Sequence, residues 1–373
     1  MSTKTSLSKL TQVGKGRPAG DRAVVITGGS GFIGTNLADK IASSGRRVRL
    51  LDNLSRPGVE ENLRWLRETH GDRIAIEVAD VRDPAAVRRV VAGAGAVFHF
   101  AAQVAVTTSL DDPIHDFEVN ALGTLNVLEA VRAQEVPPPV FFTSTNKVYG
   151  GMEDVELRLR GQRYEPADET LRARGFGEDR RLDFHSPYGS SKGAADQYVL
   201  DYARSYGLKT VVFRMSCIYG PHQFGTEDQG WVAHFLLRAL DGRPITLYVD
   251  GMQVRDVLYV EDLVRAFLLA EENVDRLAGQ AFNMGGGASH TVSLLELIDL
   301  IGSLHGQRPR VFFEGWRTGD QRYYVSNTRK FEEATGWRQR VSVREGVGNR
   351  YNWLLEFRGL AEGALVGAGR QAS

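Results

Sequence analysis

Two side chains with complementary proton chemistry lie four residues apart near the middle of the chain. They are Tyr188 and Lys192, in a segment with a helical pattern that runs from 187 to 206. A spacing of four places both on one face of a helix. A free tyrosine, with a pKa near ~10, is a poor base at neutral pH, but a neighbouring ammonium would stabilise its phenolate. The pair is therefore a candidate base for taking a proton from a hydroxyl group.

A group of hydroxyl side chains ends an apolar run earlier in the chain. Thr143, Ser144 and Thr145 follow the apolar residues 140–142. A hydroxyl there could hydrogen-bond a substrate oxygen while a proton moves, although strand-end threonines also bind their own backbone. The chain has eight lysines against 38 arginines, which favours a specific role for Lys192 over a solvated surface position.

Glycines recur at every third position in the segment TGGSGFIG, between an apolar run and a helical pattern. Gly28, Gly31 and Gly34 leave no Cβ where a backbone must turn tightly and approach a phosphate. A helix that starts there offers free N–H groups and the positive end of its dipole. The spacing differs from the standard G-x-G-x-x-G, but its place between strand and helix predicts a dinucleotide site.

Polar or small residues end the next three apolar runs in order. Asp52 could accept hydrogen bonds from a ribose and would repel a 2′-phosphate, which favours NAD over NADP. Because Arg56 lies nearby, the sequence does not exclude NADP as the cofactor. Asp80 and Val81 could read the adenine, and the small residues at 101–103 would let the backbone pass close to the cofactor.

Short apolar runs alternate with longer amphipathic segments as far as residue 220. Runs that are almost wholly apolar are typical of parallel strands covered on both faces. The alternation predicts an α/β fold, a Rossmann-like doubly wound parallel sheet, with a smaller C-terminal lobe. The predicted strands are 23–27, 48–52, 74–79, 96–101, 140–144 and 210–215; the predicted helices are 31–44, 84–92, 113–133, 187–206, 292–304 and 344–356.

Two interruptions indicate how the chain is divided. Residues 151–186 are polar and aperiodic, which predicts a surface insertion, and the regular alternation stops after residue 220. We predict a dinucleotide-binding domain from 21–219 and about 252–284, a substrate-binding lobe from about 220–251 and 285–358, and polar tails at 1–20 and 359–373.

The composition argues against several classes of function. With 46 basic and 46 acidic residues the chain lacks the basic surface of a nucleic-acid-binding protein. No apolar run approaches the ~20 residues that cross a bilayer, and the first residues lack the apolar core of a secretory signal. The single cysteine, Cys217, allows no disulfide framework, and no metal-ligand spacing is present. We expect a cytoplasmic protein without metal, membrane or nucleic-acid partners.

Five motifs in a fixed order carry a family resemblance: TGGSGFIG, FHFAAQ, TSTNKVYG, YGSSK and RDVLYVEDL. Over residues 21–340 the chain resembles extended short-chain dehydrogenases/reductases of the NAD-dependent sugar-nucleotide epimerase/dehydratase family. The resemblance implies an enzyme that keeps NAD bound and restores it in each turnover, a nucleotide-diphosphate sugar as substrate, and Thr145, Tyr188 and Lys192 as the catalytic residues. Relatives are often dimers or tetramers, so a homo-oligomer is expected.

The same resemblance implies the binding residues. Asn120 matches a position that supports the active site, and Arg255 and Arg322 match positions that hold the pyrophosphate, where a guanidinium can bind in a bidentate manner. The predicted cofactor contacts are Gly28, Gly31, Phe32, Ile33, Gly34, Asp52, Asn53, Asp80, Val81, Ala101, Ala102, Gln103, Asn120, Thr143, Tyr188, Lys192 and Met215. The predicted substrate contacts are Asn146, Cys217, Gln223, Arg255 and Arg322.

The two residues after Thr145 bear on the reaction. In 4,6-dehydratases of this family they are typically Asp and Glu, the acid and base of water elimination, whereas this chain has Asn146 and Lys147. An asparagine does not titrate and a lysine carries the opposite charge, so dehydration is disfavoured. An epimerase needs only oxidation, rotation of the keto sugar and return of hydride to its opposite face.

Longer segments, DFHSPYGSSKGAADQY and QFGTEDQGW, are similar to CDP-paratose (CDP-tyvelose) 2-epimerases, which predicts inversion at C2 of a CDP-sugar. Met215 and Cys217 depart from the His and Ser expected in that group. The alternatives are a nucleotide-sugar 4-epimerase, a dehydratase or decarboxylase of the same family, and a non-catalytic NAD-binding regulator. A regulator would ordinarily have lost Tyr188 or Lys192.

Overall fold

A computed structural model describes residues 22–316 and 319–360. The predicted tail at 1–20 lies outside these residues, as does all but the beginning of the predicted tail at 359–373. Within the described ranges, the helices are all too short or too polar to cross a membrane. The strands are β1 (Val24–Thr27), β2 (Val48–Asp52), β3 (Ile74–Val78), β4 (Ala96–His99), β5 (Val140–Thr145), β6 (Leu157–Arg160), β7 (Arg163–Pro166), β8 (Thr210–Met215), β9 (Cys217–Tyr219), β10 (Ile245–Tyr248), β11 (Val254–Tyr259), β12 (Gln280–Met284), β13 (Thr291–Ser293), β14 (Val311–Glu314) and β15 (Tyr323–Tyr324).

Helices separate most of these strands. They are α1 (Phe32–Ser43), α2 (Val59–His70), α3 (Pro84–Val91), α4 (Val106–Asp111), α5 (Pro113–Phe117), α6 (Gly123–Arg132), α7 (Glu169–Arg174), α8 (Ser186–Tyr206), α9 (Trp231–Leu240), α10 (Val260–Glu272), α11 (Val274–Leu277), α12 (Leu294–His305), α13 (Arg329–Thr335) and α14 (Val343–Phe357). A π-helical turn, Glu118–Leu122, connects α5 to α6.

The main sheet has seven parallel strands in the order β12-β8-β5-β4-β1-β2-β3. The chain moves outward from β1 to β3 and then returns to the other side of β1, so the strand order reverses between β1 and β4. This arrangement confirms the predicted doubly wound fold. A reversal of this kind opens a crevice at the carboxyl ends of the two strands, where ligands of such folds bind.

Both faces of the sheet are buried, as the apolar strands predicted. Alternate side chains of one strand enter different cores: Val24 and Ile26 pack on one face, and Val25 on the other. The first face is rich in phenylalanine, with Phe98 stacked 4.7 Å from Phe141 between ring centroids. Because helices cover both faces, the strand ends are the part of the sheet that remains open to a ligand.

Local signals set the ends of several helices. Asp83 accepts hydrogen bonds from the backbone N–H groups of Ala85 and Ala86, so α3 begins at Pro84. Ser293 and Glu296 form a reciprocal capping box that begins α12. The long helix α8 ends at Gly207, which adopts a left-handed conformation that ends the helix without a Cβ clash.

The strands outside the main sheet form a smaller unit, apart from the hairpin of β6 and β7. The strand β11 lies at its centre and pairs with β9, β13 and β15, while β10 pairs with β14 in a separate two-stranded sheet. Its apolar core includes Phe235, Leu297 and Ile301. The predicted domain division stays a prediction, although β11, which that division assigns to the first domain, pairs within this smaller sheet.

The insertion at 151–186 contains regular elements that the sequence pattern did not reveal. The strands β6 and β7 form an antiparallel hairpin and α7 follows it. The hairpin contacts the smaller unit through Tyr164, whose N–H donates to the Met252 carbonyl. The end of the insertion contacts the main sheet, since Asn283 of β12 donates a 2.8 Å hydrogen bond to the Phe176 carbonyl. The insertion thus links the two units.

Candidate active site

A cavity of about 710 Å³ lies at the carboxyl ends of the central strands and continues toward the smaller unit. Of the residues that the sequence predicted, Asn120 and Arg322 do not line it. The residues that do are Gly28, Gly31, Phe32, Ile33, Gly34, Asp52, Asn53, Asp80, Val81, Ala101, Ala102, Gln103, Thr143, Thr145, Asn146, Tyr188, Lys192, Met215, Cys217, Gln223 and Arg255.

The glycine-rich turn is packed too tightly for side chains. Gly28 has a φ of +67°, and a Cβ there would lie 2.8 Å from the backbone nitrogen of Ala101. A Cβ on Gly34 would lie 2.3 Å from the Gly28 carbonyl oxygen, in the first turn of α1. The turn therefore brings bare backbone and the N-terminus of α1 to the cavity, which is the surface that a pyrophosphate requires.

Asp52 ends β2 at the wall of the cavity. Its carboxylate accepts a 2.9 Å hydrogen bond from the N–H of Ser30 and a 3.0 Å bond from that of Leu54. Burial raises the pKa of Asp52, and these backbone bonds oppose the rise. The carboxylate is thereby oriented by the glycine turn while it faces the space that a ribose would occupy.

Asp80 is a second acidic residue on this wall of the cavity. It accepts a 2.9 Å hydrogen bond from the Asn53 amide and pairs with Arg82 at 3.0 Å. Although burial opposes the change, the bonds from Arg82 and Asn53 lower the pKa of Asp80 to about 2. Asp80 is therefore ionised at neutral pH and fixes the Asn53 side chain at the cavity.

Asn120 lies behind the cavity wall and is fully buried. Its side-chain oxygen accepts a 3.0 Å hydrogen bond from the backbone N–H of Gln103. Gln103 belongs to the cavity-lining segment after β4. The structure thus places Asn120 as a support for that segment, in a position without direct access to a cofactor.

Thr145, Tyr188 and Lys192 meet at the centre of the cavity, from β5 and the first two turns of α8. The Tyr188 and Thr145 side chains are hydrogen-bonded to each other. The backbone N–H of Tyr188 donates a 3.1 Å bond to the Ser109 hydroxyl. Lys192 donates a 2.7 Å bond to the Thr143 carbonyl oxygen, and its Nζ lies 4.2 Å from the centroid of the Phe142 ring.

The electrostatics of this group differ from the sequence-based expectation. Burial raises the pKa of Tyr188 to about 12, and the hydrogen bond with Thr145 only partly offsets that rise. Burial also lowers the pKa of Lys192 to about 7, against the attraction of Asp196 and Asp116. Removal from water disfavours both charged forms, so burial favours the neutral phenol of Tyr188 at neutral pH.

The remaining wall is formed by residues predicted to contact the substrate. The Asn146 amide donates a 3.0 Å hydrogen bond to Gln321, and the Gln223 amide donates a 3.2 Å bond to the Ile218 carbonyl. The indole N–H of Trp231 lies 3.3 Å from the Cys217 sulfur. Burial raises the pKa of the Cys217 thiol, so this sulfur is a neutral part of the wall.

The two predicted pyrophosphate arginines are placed differently. Arg255 reaches the cavity and pairs with Asp320 at 2.6 Å, while the same nitrogen donates to the Gln321 carbonyl. Arg322 is exposed, and its guanidinium lies 5.8 Å from the ring centroids of both Tyr164 and Trp316. The structure therefore does not bring Arg322 to the cavity, because its side chain packs on aromatic rings outside it.

Several residues of the site are absent from the predicted cofactor and substrate contacts. Lys147 lines the cavity and donates a 2.7 Å hydrogen bond to the Gly319 carbonyl. Arg56 and Gln229 also line it, and their side chains are hydrogen-bonded to each other. Ser109 binds the backbone of Tyr188 from 79 positions away. Ser109 has no local sequence signal, since only the folded chain brings it to the site, whereas Arg56, Lys147 and the segment that contains Gln229 are already singled out by the sequence. The described residues contain no His, Cys, Asp and Glu cluster suited to a metal ion.

Comparisons with known proteins agree with this geometry. A family model described as the NAD dependent epimerase/dehydratase family matches residues 24–285. The chain is similar to CDP-paratose 2-epimerase of Salmonella typhi, with 43% identity over 337 residues that cover 88% of this chain and 98% of that protein.

Solved structures show the same fold. The Thermus thermophilus UDP-glucose 4-epimerase in complex with NAD has a TM-score of 0.73 and 33% identity, covering 90% of this chain and 99% of that one. DesIV, a dTDP-glucose 4,6-dehydratase from Streptomyces venezuelae solved with NAD and TYD bound, has a TM-score of 0.77 and 27% identity, covering 91% and 99%. The chain thus shares its architecture with both epimerases and dehydratases.

Proposed function

The chain belongs to the NAD dependent epimerase/dehydratase family, and we propose that it is an NAD-dependent epimerase that inverts C2 of a CDP-sugar. One observation carries this proposal: the 43% identity to a CDP-paratose 2-epimerase extends over 98% of that protein. The similarity therefore includes the smaller unit, which forms part of the cavity wall, as well as the dinucleotide-binding sheet.

The cavity fits NAD on the side of the glycine turn. Gly28 and Gly34 leave bare backbone there, and the N-terminus of α1 would face the pyrophosphate. Asp52 would accept hydrogen bonds from the adenosine ribose, and Asp80 and Asn53 lie beside it at the wall. NAD, when bound, accepts and returns a hydride and adds a positive charge beside Tyr188.

In the proposed reaction Tyr188 exchanges the proton of the substrate hydroxyl. The C2 hydroxyl gives its proton to the phenolate as the C2–H electron pair leaves with the hydrogen as hydride, and a C=O bond forms. Thr145 hydrogen-bonds Tyr188 and would also donate to the same substrate oxygen. Lys192 would stabilise the phenolate. Return of hydride to the opposite face, with the proton from Tyr188, completes the inversion.

The residues beside Thr145 favour epimerisation over dehydration. Because these positions hold Asn146 and Lys147, neither supplies a carboxylate for water elimination. The Asn146 amide donates to Gln321, and Lys147 donates to the Gly319 carbonyl. The keto sugar would then return to the alcohol. A dehydratase, the second candidate, needs an acid and a base at these positions.

The substrate diphosphate would lie near Arg255. This guanidinium is at the cavity wall and now holds Asp320 and the Gln321 carbonyl. A diphosphate could replace the Asp320 carboxylate, because a guanidinium binds either anion in the same geometry. The predicted role of Arg322 would require its side chain to leave the Tyr164 and Trp316 rings.

The proposal is tested with a panel of CDP-, UDP-, GDP- and dTDP-sugars followed by NMR. We expect inversion at C2 of CDP-paratose or CDP-tyvelose with no net change in NAD. In deuterated water an epimerase that returns its own hydride leaves C2–H unlabelled. Inversion at C4, loss of water, or no turnover on the whole panel by NAD-loaded protein would each refute the proposal.

We also propose a homo-oligomer built on the helices next to α8. Ile114, Phe117 and Leu122 are exposed apolar residues, and Tyr198 and Tyr206 are exposed on α8, the helix on which α5 and the π-helical turn pack. An apolar area of this kind on adjacent helices is typical of a subunit interface. Light scattering should give the mass of a dimer or tetramer for the wild type and a smaller mass for Phe117→Lys. A wild-type monomer would contradict the proposal.

The cellular setting stays a prediction. We propose a cytoplasmic enzyme, supported by the single cysteine, which is typical of chains that do not depend on oxidation. Fractionation of cells that express the tagged protein should recover it with cytoplasmic markers, and recovery with extracellular or membrane fractions would contradict this.

A further inference from the structure

A buried polar cluster lies directly behind the catalytic part of α8. Asp116 is fully buried, and its carboxylate accepts a 2.5 Å hydrogen bond from the Ser191 hydroxyl and a 3.1 Å bond from the Asn120 amide. The Asn120 amide also donates to the Ser191 oxygen at 3.1 Å. Three side chains from α5, the π-helical turn and α8 thus form a closed set of hydrogen bonds around one carboxylate.

The cluster contacts both the catalytic helix α8 and the cavity-lining segment after β4. Ser191 precedes Lys192, and its hydroxyl lies 3.2 Å from the carbonyl oxygen of Tyr188, within the first turns of α8. Asn120 holds the backbone N–H of Gln103 at the cofactor side of the cavity. A change at Asp116 would therefore reach the catalytic helix through Ser191 and the cavity wall through Asn120.

The carboxylate also contributes a charge in a region with little water. Burial raises the pKa of Asp116, while Ser191 and the charge of Lys192 oppose that rise. Asp196 is the other acidic group near Lys192, but it is paired with Arg214 at 2.9 Å. Burial lowers the pKa of His99 to about 3, so this neighbour is neutral. Two further charged or titratable groups act on the site: Arg56, after β2, lowers the pKa of Tyr188, and His115, on α5, lowers that of Asp116.

We propose that Asp116 is a positioning residue of the catalytic site: it holds the Tyr188–Lys192 turn through Ser191 and supplies the buried negative charge that accompanies the Lys192 ammonium. The proposal deepens the epimerase assignment and rests on it only for the kinetic part of its test. The carboxylate touches neither the substrate nor the cofactor space, since it lies outside the cavity lining.

One substitution separates the charge from the hydrogen bonds. In Asp116→Asn the side-chain oxygen can accept from Asn120, and the new amide can donate to Ser191, whose hydroxyl then donates to the Tyr188 carbonyl. The cluster stays satisfied and the charge is lost. Asp112→Asn is the matched control, because Asp112 caps the same helix with a 3.0 Å bond to the His115 N–H and is exposed to water.

The first readout is independent of any substrate. The chain has eight lysines, so the side-chain signals of ¹³C-labelled lysine can be followed by NMR during a pH titration of NAD-loaded protein, with Lys192→Arg to identify the Lys192 signal. Asp116→Asn should lower the midpoint of Lys192 by about one pH unit or more. Asp112→Asn should leave the midpoint unchanged. An unchanged midpoint in a folded Asp116→Asn protein would overturn the charge role.

The second readout is the pH profile of kcat on the sugar that the panel identifies. Loss of a negative charge favours the deprotonated forms of both Tyr188 and Lys192, so both limbs should move to lower pH in Asp116→Asn with KM unchanged. A uniform loss of rate with both limbs in place would indicate a merely structural residue and overturn the proposal. If no sugar on the panel turns over, the epimerase assignment fails while the lysine titration still decides the role of Asp116.

Discussion

The Nζ atom of Lys192 donates a 2.7 Å hydrogen bond to the backbone carbonyl oxygen of Thr143. The bond joins the second turn of α8 to the end of β5, and it holds the ammonium at the cavity wall with its Nζ 4.2 Å from the Phe142 ring centroid. The lysine is thereby held in one place while burial keeps its pKa low. Its position, more than its spacing from Tyr188, makes it part of the site.

Lys192→Met should lower kcat by a factor of about 10² to 10⁴, because the phenolate loses its cationic neighbour. The thermal midpoint should stay level or rise, since a buried ammonium is replaced by an apolar side chain of similar length. Lys209→Met is the control: Lys209 pairs with Asp275 at the surface and should retain full activity. Comparable activity in both variants would contradict the role of Lys192.

Tyr188→Phe and Tyr149→Phe should separate catalysis from stability. Tyr188→Phe removes the proton acceptor at the cavity and should abolish turnover with little change in unfolding temperature. The Tyr149 hydroxyl instead donates a 2.7 Å bond to Asn283 and lies 3.1 Å from Arg214 in the interior. Tyr149→Phe should cost about 1–3 kcal/mol of unfolding free energy and retain kcat, as measured by denaturant titration and initial rates. Substantial turnover by Tyr188→Phe would contradict the catalytic role of Tyr188.

A single substitution in the buried pair of Asp196 and Arg214 should destabilise the protein much more than a double substitution that removes both charges. Arg214 binds both carboxylate oxygens of Asp196 at 2.9 Å, and both side chains are almost fully buried. Asp196→Asn should lower the unfolding free energy by about 3–5 kcal/mol, because it leaves a buried guanidinium unpaired. The double variant Asp196→Leu with Arg214→Met should recover most of that loss. A single variant as stable as the wild type would refute this account.

Gly34→Ala should prevent NAD from being retained. The new Cβ would lie 2.3 Å from the Gly28 carbonyl oxygen and 2.7 Å from the Gly29 Cα, so the turn or the helix must move. Gly348→Ala, on α14 with no atom within 4 Å of its Cβ position, is the control and should gain about 0.5–1 kcal/mol. Release of NAD from purified protein by acid, followed by chromatography, measures the effect; equal NAD content in both variants would contradict it.

His99 should make the fold sensitive to mild acid. Thr124 donates to the Asn120 carbonyl and therefore accepts from His99 Nε2 at 2.9 Å, which leaves Nδ1 to accept from Thr27 at 2.6 Å. The site fits neutral imidazole, and burial lowers the pKa of His99 to about 3. Between the unfolded pKa near ~6.5 and about 3, the unfolded chain binds a proton that the folded chain does not, so stability falls as the pH falls.

His99→Gln keeps a donor and an acceptor but does not titrate. Its unfolding free energy should decline less steeply than that of the wild type between pH 6 and 4, by roughly 1.4 kcal/mol per pH unit. His290→Gln, at a surface turn, should follow the wild-type slope. Denaturant titrations across this pH range provide the measurement, and parallel slopes for His99→Gln and the wild type would contradict the explanation.

The central sheet could be predicted because its signals are local. Apolar runs gave β2 and β8 with the bounds that the structure shows, and the turn residues at their ends located the cavity. The helix α2 was missed because its short apolar face lies among charged residues. The predicted helix 113–133 is interrupted, since the π-helical turn at Glu118–Leu122 shifts the register and directs Asn120 inward.

The predicted substrate contacts show the limit of motif matching. Arg255 lies on β11, whose pairing with β13 and β15 fixes its direction toward the cavity. Arg322 immediately precedes the two-residue strand β15 and packs on aromatic side chains outside the cavity. A motif identifies the residue type at a position in the chain. It does not give the direction of a long side chain, which depends on the residues that pack around it.

The sequence by itself determined the doubly wound sheet, the glycine turn and the placement of Tyr188 and Lys192 one turn apart on a helix, because each depends on residues within a few positions of one another. The tertiary structure alone decided that Asp116 meets Ser191 from 75 positions away, that Lys192 binds the Thr143 carbonyl, and that burial holds Tyr188 as a neutral phenol. The reason is physical: hydrogen bonds and desolvation depend on distance and water exclusion in three dimensions, which local periodicity does not encode.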